Sequence, residues 1–387
     1  MLPRLLAHGD TRGLEHRITA RPAATSAAGL SELARLGRLI FADESLSASG
    51  RMSCRTCHLP EHAHASPPAD VVSAGGAHLE RRGTRNSPSL RYVHLTPAFH
   101  VEPDGTAVGG FFRDGRASSL AEQALGPFMD VDEMANPSVQ KLAARLEAAS
   151  YVGAFRRLFG ASVFDDPQRV VASAASALAQ FQVESREFHP FDSRYDAYLA
   201  GETTLTAQQL RGLKLFNDPD KGNCAACHPS EPGADGSPPL FTDFTYDTLG
   251  VPRNADIPAN ADAAFVDLGV CGPRRSDVEG TDLCGAFKVP TLRNVAKTAP
   301  YFHNGRFKTL QEVVAFYARR DTNPEEWYPT GPGGVRKFDD LPTGLHANVN
   351  VTEAPYDRKP GDPPALTAAE IEDVVAFLQT LDDGYRR

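Results

Sequence analysis

The chain has 387 residues, 41% of them hydrophobic and 23% charged, with a net charge of −9. That length and mixture suit two globular domains with a core each, and the acidic balance argues against nucleic acid and for a basic protein partner. No apolar run approaches the roughly 18 residues that a membrane span needs.

The opening MLPRLLAHGDTRGLEH does not read as a signal peptide, because its apolar patch is short and is followed by charges. From residue 33 the chain runs LARLGRLIFADESLSASGRMSCRTCH, an amphipathic helix, a turn, a loop and then Cys-x-x-Cys-His. Ser119 and Glu122 predict the start of a helix that carries Gln123 in its first turns. Residues 138–185 read as two Ala-rich helices. A domain boundary is expected near ESREFHPFDSRYDAYLAGETTLT, which divides the chain into 1–195 and 196–387. The second half repeats the first pattern as LTAQQLRGLKLFNDPDKGNCAACH, with Thr206 and Gln209 as a capping box.

Residues 229–287 are rich in Pro, Gly and Asp and predict a long ordered loop. Cys271 and Cys284 lie in it with no histidine nearby, and they read as a disulfide in an oxidising compartment. In FKTLQEVVAFYARR, Thr309 and Glu312 form a capping box, and Leu310, Val313, Val314 and Tyr317 share one face. The chain closes on LTAAEIEDVVAFLQTL, with Thr367 and Glu370 as caps and Ile371, Val374, Val375 and Leu378 as an apolar stripe.

Two copies of Cys-x-x-Cys-His carry the chemistry. Cysteines three apart on one helical turn reach the two vinyl groups of a haem, and the adjoining histidine lies under the iron. Zinc would want a second Cys pair close by, and a thiol redox motif would want a βαβ context. The expected attachments are Cys54, Cys57 and His58 for one haem c, and Cys224, Cys227 and His228 for another. Leading helix, haem motif and closing helix together give a mainly α fold, two cytochrome c-like haem domains packed together with long ordered loops.

What faces each iron then decides its task. Met1, Met52, Met129 and Met134 all precede the second motif, so a downstream methionine ligand is excluded there. Tyr317 reads either as a phenolate ligand or as a packed core residue, with His303 and His346 as rivals. On the first side, GRASSLAEQALGPFMDVDEMAN holds Gln123, Pro127 and Glu133. A carboxylate moves a proton between peroxide oxygens and an amide orients them. The plainer reading of DVDE is a solvated acidic loop.

From about residue 30 onward the chain resembles the bacterial dihaem cytochrome c peroxidase / MauG superfamily. The likeness rests on SCRTCH, GTRNSPSL, FFRDGRASSLAEQALGP followed by DEM, CAACH, LFTDFTYDTLGVPRN and FKVPTLRNVAKTAPYFHNGRFKTLQEVVAFY, in order. The resemblance implies that Gln123, Pro127 and Glu133 form the peroxide pocket of the first haem. It makes Tyr317 the sixth ligand of the second, as in MauG, where peroxidases proper usually have methionine. It also implies a calcium ion between the haems, at Asn86 and the carbonyls of Thr298 and Pro300. His78 stands where the peroxidases place a displaceable histidine on the first iron; the alternative is a surface residue, and His62 and His64 are weaker candidates.

Arg113 departs from the resemblance, since the family usually has tryptophan there. An arginine does not oxidise as an indole does; it pairs with a haem propionate instead, leaving Tyr92 or Phe112 as other routes. Three functions are expected in turn. The first is a periplasmic peroxidase, fed electrons by a small redox donor protein, a cytochrome c or a cupredoxin. The second is a MauG-like oxidase acting on a partner protein, and the third a non-enzymatic dihaem electron carrier. A homodimer is a further expectation from the resemblance.

Overall fold

The computed structural model describes residues 29–278 and 282–386. The opening stretch read for a signal peptide lies outside the described residues. The first half holds helices α1 (Glu32–Phe41), α2 (Cys54–Cys57), α3 (Leu120–Met129), α4 (Val139–Ala148), α5 (Val152–Phe159) and α6 (Pro167–Glu184). The second holds α7 (Arg194–Leu199), α8 (Ala207–Asn217), α9 (Leu310–Arg319) and α10 (Ala368–Leu378). Short antiparallel pairs join the loops: β1 (Ala74–Gly75) with β2 (Arg81–Arg82), β3 (His100–Val101) with β4 (Ala107–Val108), and β5 (Tyr246–Asp247) with β6 (Phe287–Lys288). The fold is mainly helical.

The helix starts follow the caps in the sequence. Thr206, Thr309 and Thr367 each accept the backbone N–H three residues on, and Gln209, Glu312 and Glu370 return the bond. Ser119 accepts from the Glu122 N–H at 3.1 Å and starts α3. Residues 138–185 form three helices where two were expected. Ala149 leaves the helical region (ψ 148°), Gly160 at φ 95° stops α5, and Asp166 with Pro167 restarts the chain as α6.

One apolar core runs from Leu30 to Phe188 and a second from Tyr195 to Leu381. The same device closes both. A Cβ at Gly37 would lie 1.9 Å from the Ala177 carbonyl oxygen and 2.9 Å from Phe181 Cβ. A Cβ at Gly212 would lie 1.9 Å from the Asp373 oxygen and 2.9 Å from Phe377 Cβ. Only glycine lets α1 approach α6, and α8 approach α10, this closely. Four residues on, Phe41 packs on Phe181 (5.7 Å) and Phe216 on Phe377 (5.2 Å). Between α8 and α9 the long loop is ordered around β5 and β6, and Cys271 and Cys284 are joined as a disulfide. Among the described residues no helix is long and apolar enough to cross a membrane.

Candidate haem and peroxide sites

A partly open cavity of about 440 Å³ lies between the two Cys-x-x-Cys-His motifs. His58 and His228 both line it, as do Gln123, Pro127, Glu133, Arg113 and Tyr317. At its first end Cys57 and His58 lie with Gln123, Pro127 and Glu133; a second, smaller pocket beside it, lined from α1, α3 and α6, holds Cys54. The second end of the cavity lies among α8, α9 and α10.

Each histidine is fixed in the same way. His58 Nδ1 is 3.0 Å from the His64 carbonyl oxygen, and His228 Nδ1 is 2.7 Å from the Phe241 carbonyl oxygen. A carbonyl only accepts, so Nδ1 carries the proton and Nε2 keeps its lone pair, the tautomer a metal ligand needs. Burial lowers both imidazoles to about 4, so both are neutral. Burial also pushes the Cys54 thiol up to about 12, Cys57 to about 11 and Cys224 to about 12. Among the described residues no group of three His, Cys, Asp or Glu is set to hold a bare metal ion. Two neutral histidines, four half-buried cysteines and the cavity between them fit two haems.

The walls facing the two histidines differ. On α3, Gln123 and Pro127 are one turn apart, and Glu133 follows from the loop after the helix. Glu133 and Gln123 make no side-chain hydrogen bond among the described residues, and both face the cavity. Burial raises the Glu133 carboxyl to about 7, helped by Asp130, while Arg274 and Arg116 pull the other way. Arg274, from the disulfide loop, bonds the Asp130 carboxylate and lies 3.3 Å from Asp132. The solvated-loop reading of DVDE therefore fails for Glu133, because the folded chain turns it inward.

At the second end Tyr317 stands on the cavity side of α9 with Leu310, Val313 and Val314. Its ring lies 5.8 Å from Phe302 and 5.9 Å from Tyr356. Burial raises its phenol strongly, so it ionises only beside a compensating cation. Of its rivals, His346 is tied to the Leu341 carbonyl oxygen at 3.1 Å, away from the cavity lining. His303 lines the cavity but stacks on Phe287, centroids 3.8 Å apart.

Two sets of expected site residues sit differently from the expectation. His78 is exposed, its N–H bonded to Glu80 at 2.8 Å, and it does not line the cavity. The reason is the β1–β2 hairpin, which is clamped. Gly76 N–H bonds the Glu133 carbonyl at 2.9 Å, a Cβ on Gly75 would meet the Asp132 oxygen at 1.9 Å, and Arg81 pairs with Asp132 at 2.6 Å. His62 does not line the cavity either, and His64 serves through its carbonyl on His58.

The calcium residues are the second. Asn86, Thr298 and Pro300 all line the cavity. Yet Arg113 donates from Nη2 to Asn86 Oδ1 at 3.2 Å and from Nε to the Asn86 carbonyl oxygen at 2.9 Å. The oxygen a metal ion would take is held by a guanidinium, so the residues as seated do not fit calcium. Arg113 forms no ion pair among the described residues, and burial lowers it to about 10, with Arg85 adding repulsion. Nearby Lys288, also buried, bonds the Gly110 carbonyl and is lowered by burial to about 7. Arg113 and Lys288, both lining this cavity and in no ion pair among the described residues, are basic groups that would match the acidic propionates of a haem.

The His64 and Phe241 carbonyls, Arg274, Lys288 and Tyr356 were not singled out from the sequence. No periodicity or spacing marks them, since each reaches the site from a loop or, for Lys288, from a two-residue strand.

A family profile described as di-haem cytochrome c peroxidase matches residues 31–204. The methylamine utilization protein MauG of Paracoccus denitrificans is 37% identical over 367 residues, covering 91% of this chain and 88% of that protein. The chain belongs to the di-haem cytochrome c peroxidase family. Its relatives include a cytochrome c551 peroxidase of Nitrosomonas europaea, 31% identical over 76% of this chain and 75% of that protein. The crystal structure of the diheme peroxidase BthA from Burkholderia thailandensis matches with a TM-score of 0.82 at 41% identity, covering 93% of this chain and 89% of that one. The dihaem expectation and the assignment as a haem oxidoreductase hold. The non-enzymatic carrier is set aside.

Proposed function

We propose that the protein is a periplasmic dihaem peroxidase, with one haem c on Cys54, Cys57 and His58 and another on Cys224, Cys227 and His228. Residues 1–195 and 196–387 form its two haem domains. His58 would hold the first haem, which would supply the chemistry of peroxide reduction, and His228 and Tyr317 would hold the second, which would supply electron relay from a small redox donor protein. Glu133 takes a proton from one peroxide oxygen and returns it to the other, and the Gln123 amide holds the peroxide in line. Pro127 shapes the wall between them. Arg274 and Arg116 offset the charges of Asp130 and Asp132, keeping Glu133 able to exchange a proton near neutral pH.

The observation that carries this reading is the convergence of Gln123, Pro127 and Glu133 on the cavity that His58 also lines. A second reading, oxidation of residues on a partner protein, is favoured by Tyr317 on the second cavity wall and by the similarity to MauG.

The test mixes the fully oxidised protein with a small excess of hydrogen peroxide, without reductant, and follows the visible and near-infrared bands. With His78 outside the cavity, a prompt spectral change is expected. A spectrum that stays unchanged until one electron is added would mean a closed first site and would overturn the open-pocket reading. If an open site then passes its oxidising power to a partner protein faster than to a small donor, the second reading replaces the first.

A further inference from the structure

Arg113 does three things at the junction of the two halves. Its guanidinium holds both oxygens of Asn86. Its own carbonyl accepts the Lys288 backbone N–H at 2.9 Å, on β6. Its uncompensated charge faces the cavity, among residues that approach it from both halves.

Asn86 in turn is a node. Its backbone N–H bonds the His303 carbonyl at 2.7 Å, and its Nδ2 bonds Ser66 Oγ at 3.2 Å and the Val71 carbonyl at 3.3 Å. Three loop segments, around residues 66–71, 86 and 303, therefore meet on one buried amide, which Arg113 locks from the fourth side. A bound divalent cation would serve the same purpose, collecting carbonyl and amide oxygens from separate segments.

The local acids leave no room for both cations. Arg85 holds Asp267 through two bonds of 2.6 Å and Asp114 at 2.7 Å, and Arg116 also pairs with Asp114 at 2.9 Å. A divalent ion at Asn86 would meet Arg113 at hydrogen-bond range, while the acids nearby among the described residues, Asp114 and Asp267, are already held by Arg85 and Arg116.

We propose that Arg113 is the resident cation of this junction, replacing the inter-haem calcium that the resemblance implies and making the enzyme independent of calcium. Arginine suits the exchange, because its planar fork meets two oxygens of one residue at once and stays charged when buried. The inference rests on the dihaem reading only in locating the junction between the haems.

The test is elemental analysis of the holoenzyme after dialysis, with haem content measured separately from the visible spectrum. The expected result is two irons per chain, no stoichiometric calcium, and a spectrum and melting temperature unmoved by a chelator such as EGTA or by added calcium. Arg113→Gln removes the charge and frees Asn86 Oδ1, so it is expected to gain one calcium per chain and a melting temperature that rises with calcium. Arg113→Trp serves as a second variant, should the first fold poorly, and is expected to gain calcium likewise. A stoichiometric calcium in the unaltered protein would overturn the proposal. So would the failure of both variants to bind calcium while they keep their haem. Loss of haem or iron in the unaltered protein would instead count against the dihaem reading, which the separate haem count distinguishes.

Discussion

The two halves of the molecule share one frame and differ on one wall. In both, a glycine on the leading helix seats on a backbone carbonyl of the closing helix, Gly37 on Ala177 and Gly212 on Asp373. In both, a loop carbonyl fixes the histidine, His64 for His58 and Phe241 for His228. Facing the first histidine are an amide and a carboxyl raised to about 7; facing the second are Tyr317 and Tyr356. The frame settles that something is held. On the proposed reading, the wall decides whether a proton can be moved there or only an electron.

Breaking the first wall has the largest expected effect. Glu133→Gln keeps the shape and removes the base, and should slow peroxide consumption by about a hundred-fold or more, read by stopped-flow absorbance. A variant at full speed would move proton transfer to another group. On the second wall, Tyr317→Met would, on the proposed reading, exchange a phenolate oxygen ligand for a neutral sulfur. The potential of the second haem should rise by on the order of 0.1 V, within the roughly 0.8 V that axial ligands command. A redox titration that finds no change would leave Tyr317 as a packing residue.

The shared frame is tested by Gly37→Ala and Gly212→Ala. Each puts a methyl against a backbone carbonyl, so each should destabilise its half by about 1–3 kcal/mol, read by thermal or denaturant unfolding. Similar losses are expected from both, because the contacts are the same; a large loss from one alone would break the symmetry.

The smallest effect concerns pH. Glu133 must be ionised to accept a proton, so peroxide reactivity should rise with pH through about 7, where burial has placed its carboxyl. Arg274 lowers that value, so Arg274→Gln should move the rise to higher pH with little change in the upper plateau. A profile that stays in place would show that Asp130 and Asp132 are neutralised without Arg274.

The local rules of the chain reached far. Capping pairs at Thr206, Thr309 and Thr367 placed three helix starts, because those bonds form between neighbours in sequence. Cys-x-x-Cys-His marked both candidate attachment turns, since its reading needs only adjacent residues. The methionine count excluded one kind of ligand, and Cys271 with Cys284 could be paired inside one loop.

What the sequence by itself determined, then, is whatever depends on neighbours: the helices, the two motifs and the family likeness. Tertiary structure alone decided the rest. Glu133 sits in a run of acids that reads as solvated, and only the packing of the loop after α3 turns it inward. His78 lies in a glycine-rich stretch that reads as mobile, yet Arg81 and Asp132 clamp that hairpin from 51 residues away in sequence. Arg113 and Asn86 are 27 residues apart, with nothing in their spacing to say that one holds the other's oxygens. Such contacts depend on where the chain returns in space, and side chains that meet only after folding leave no period in the sequence to read.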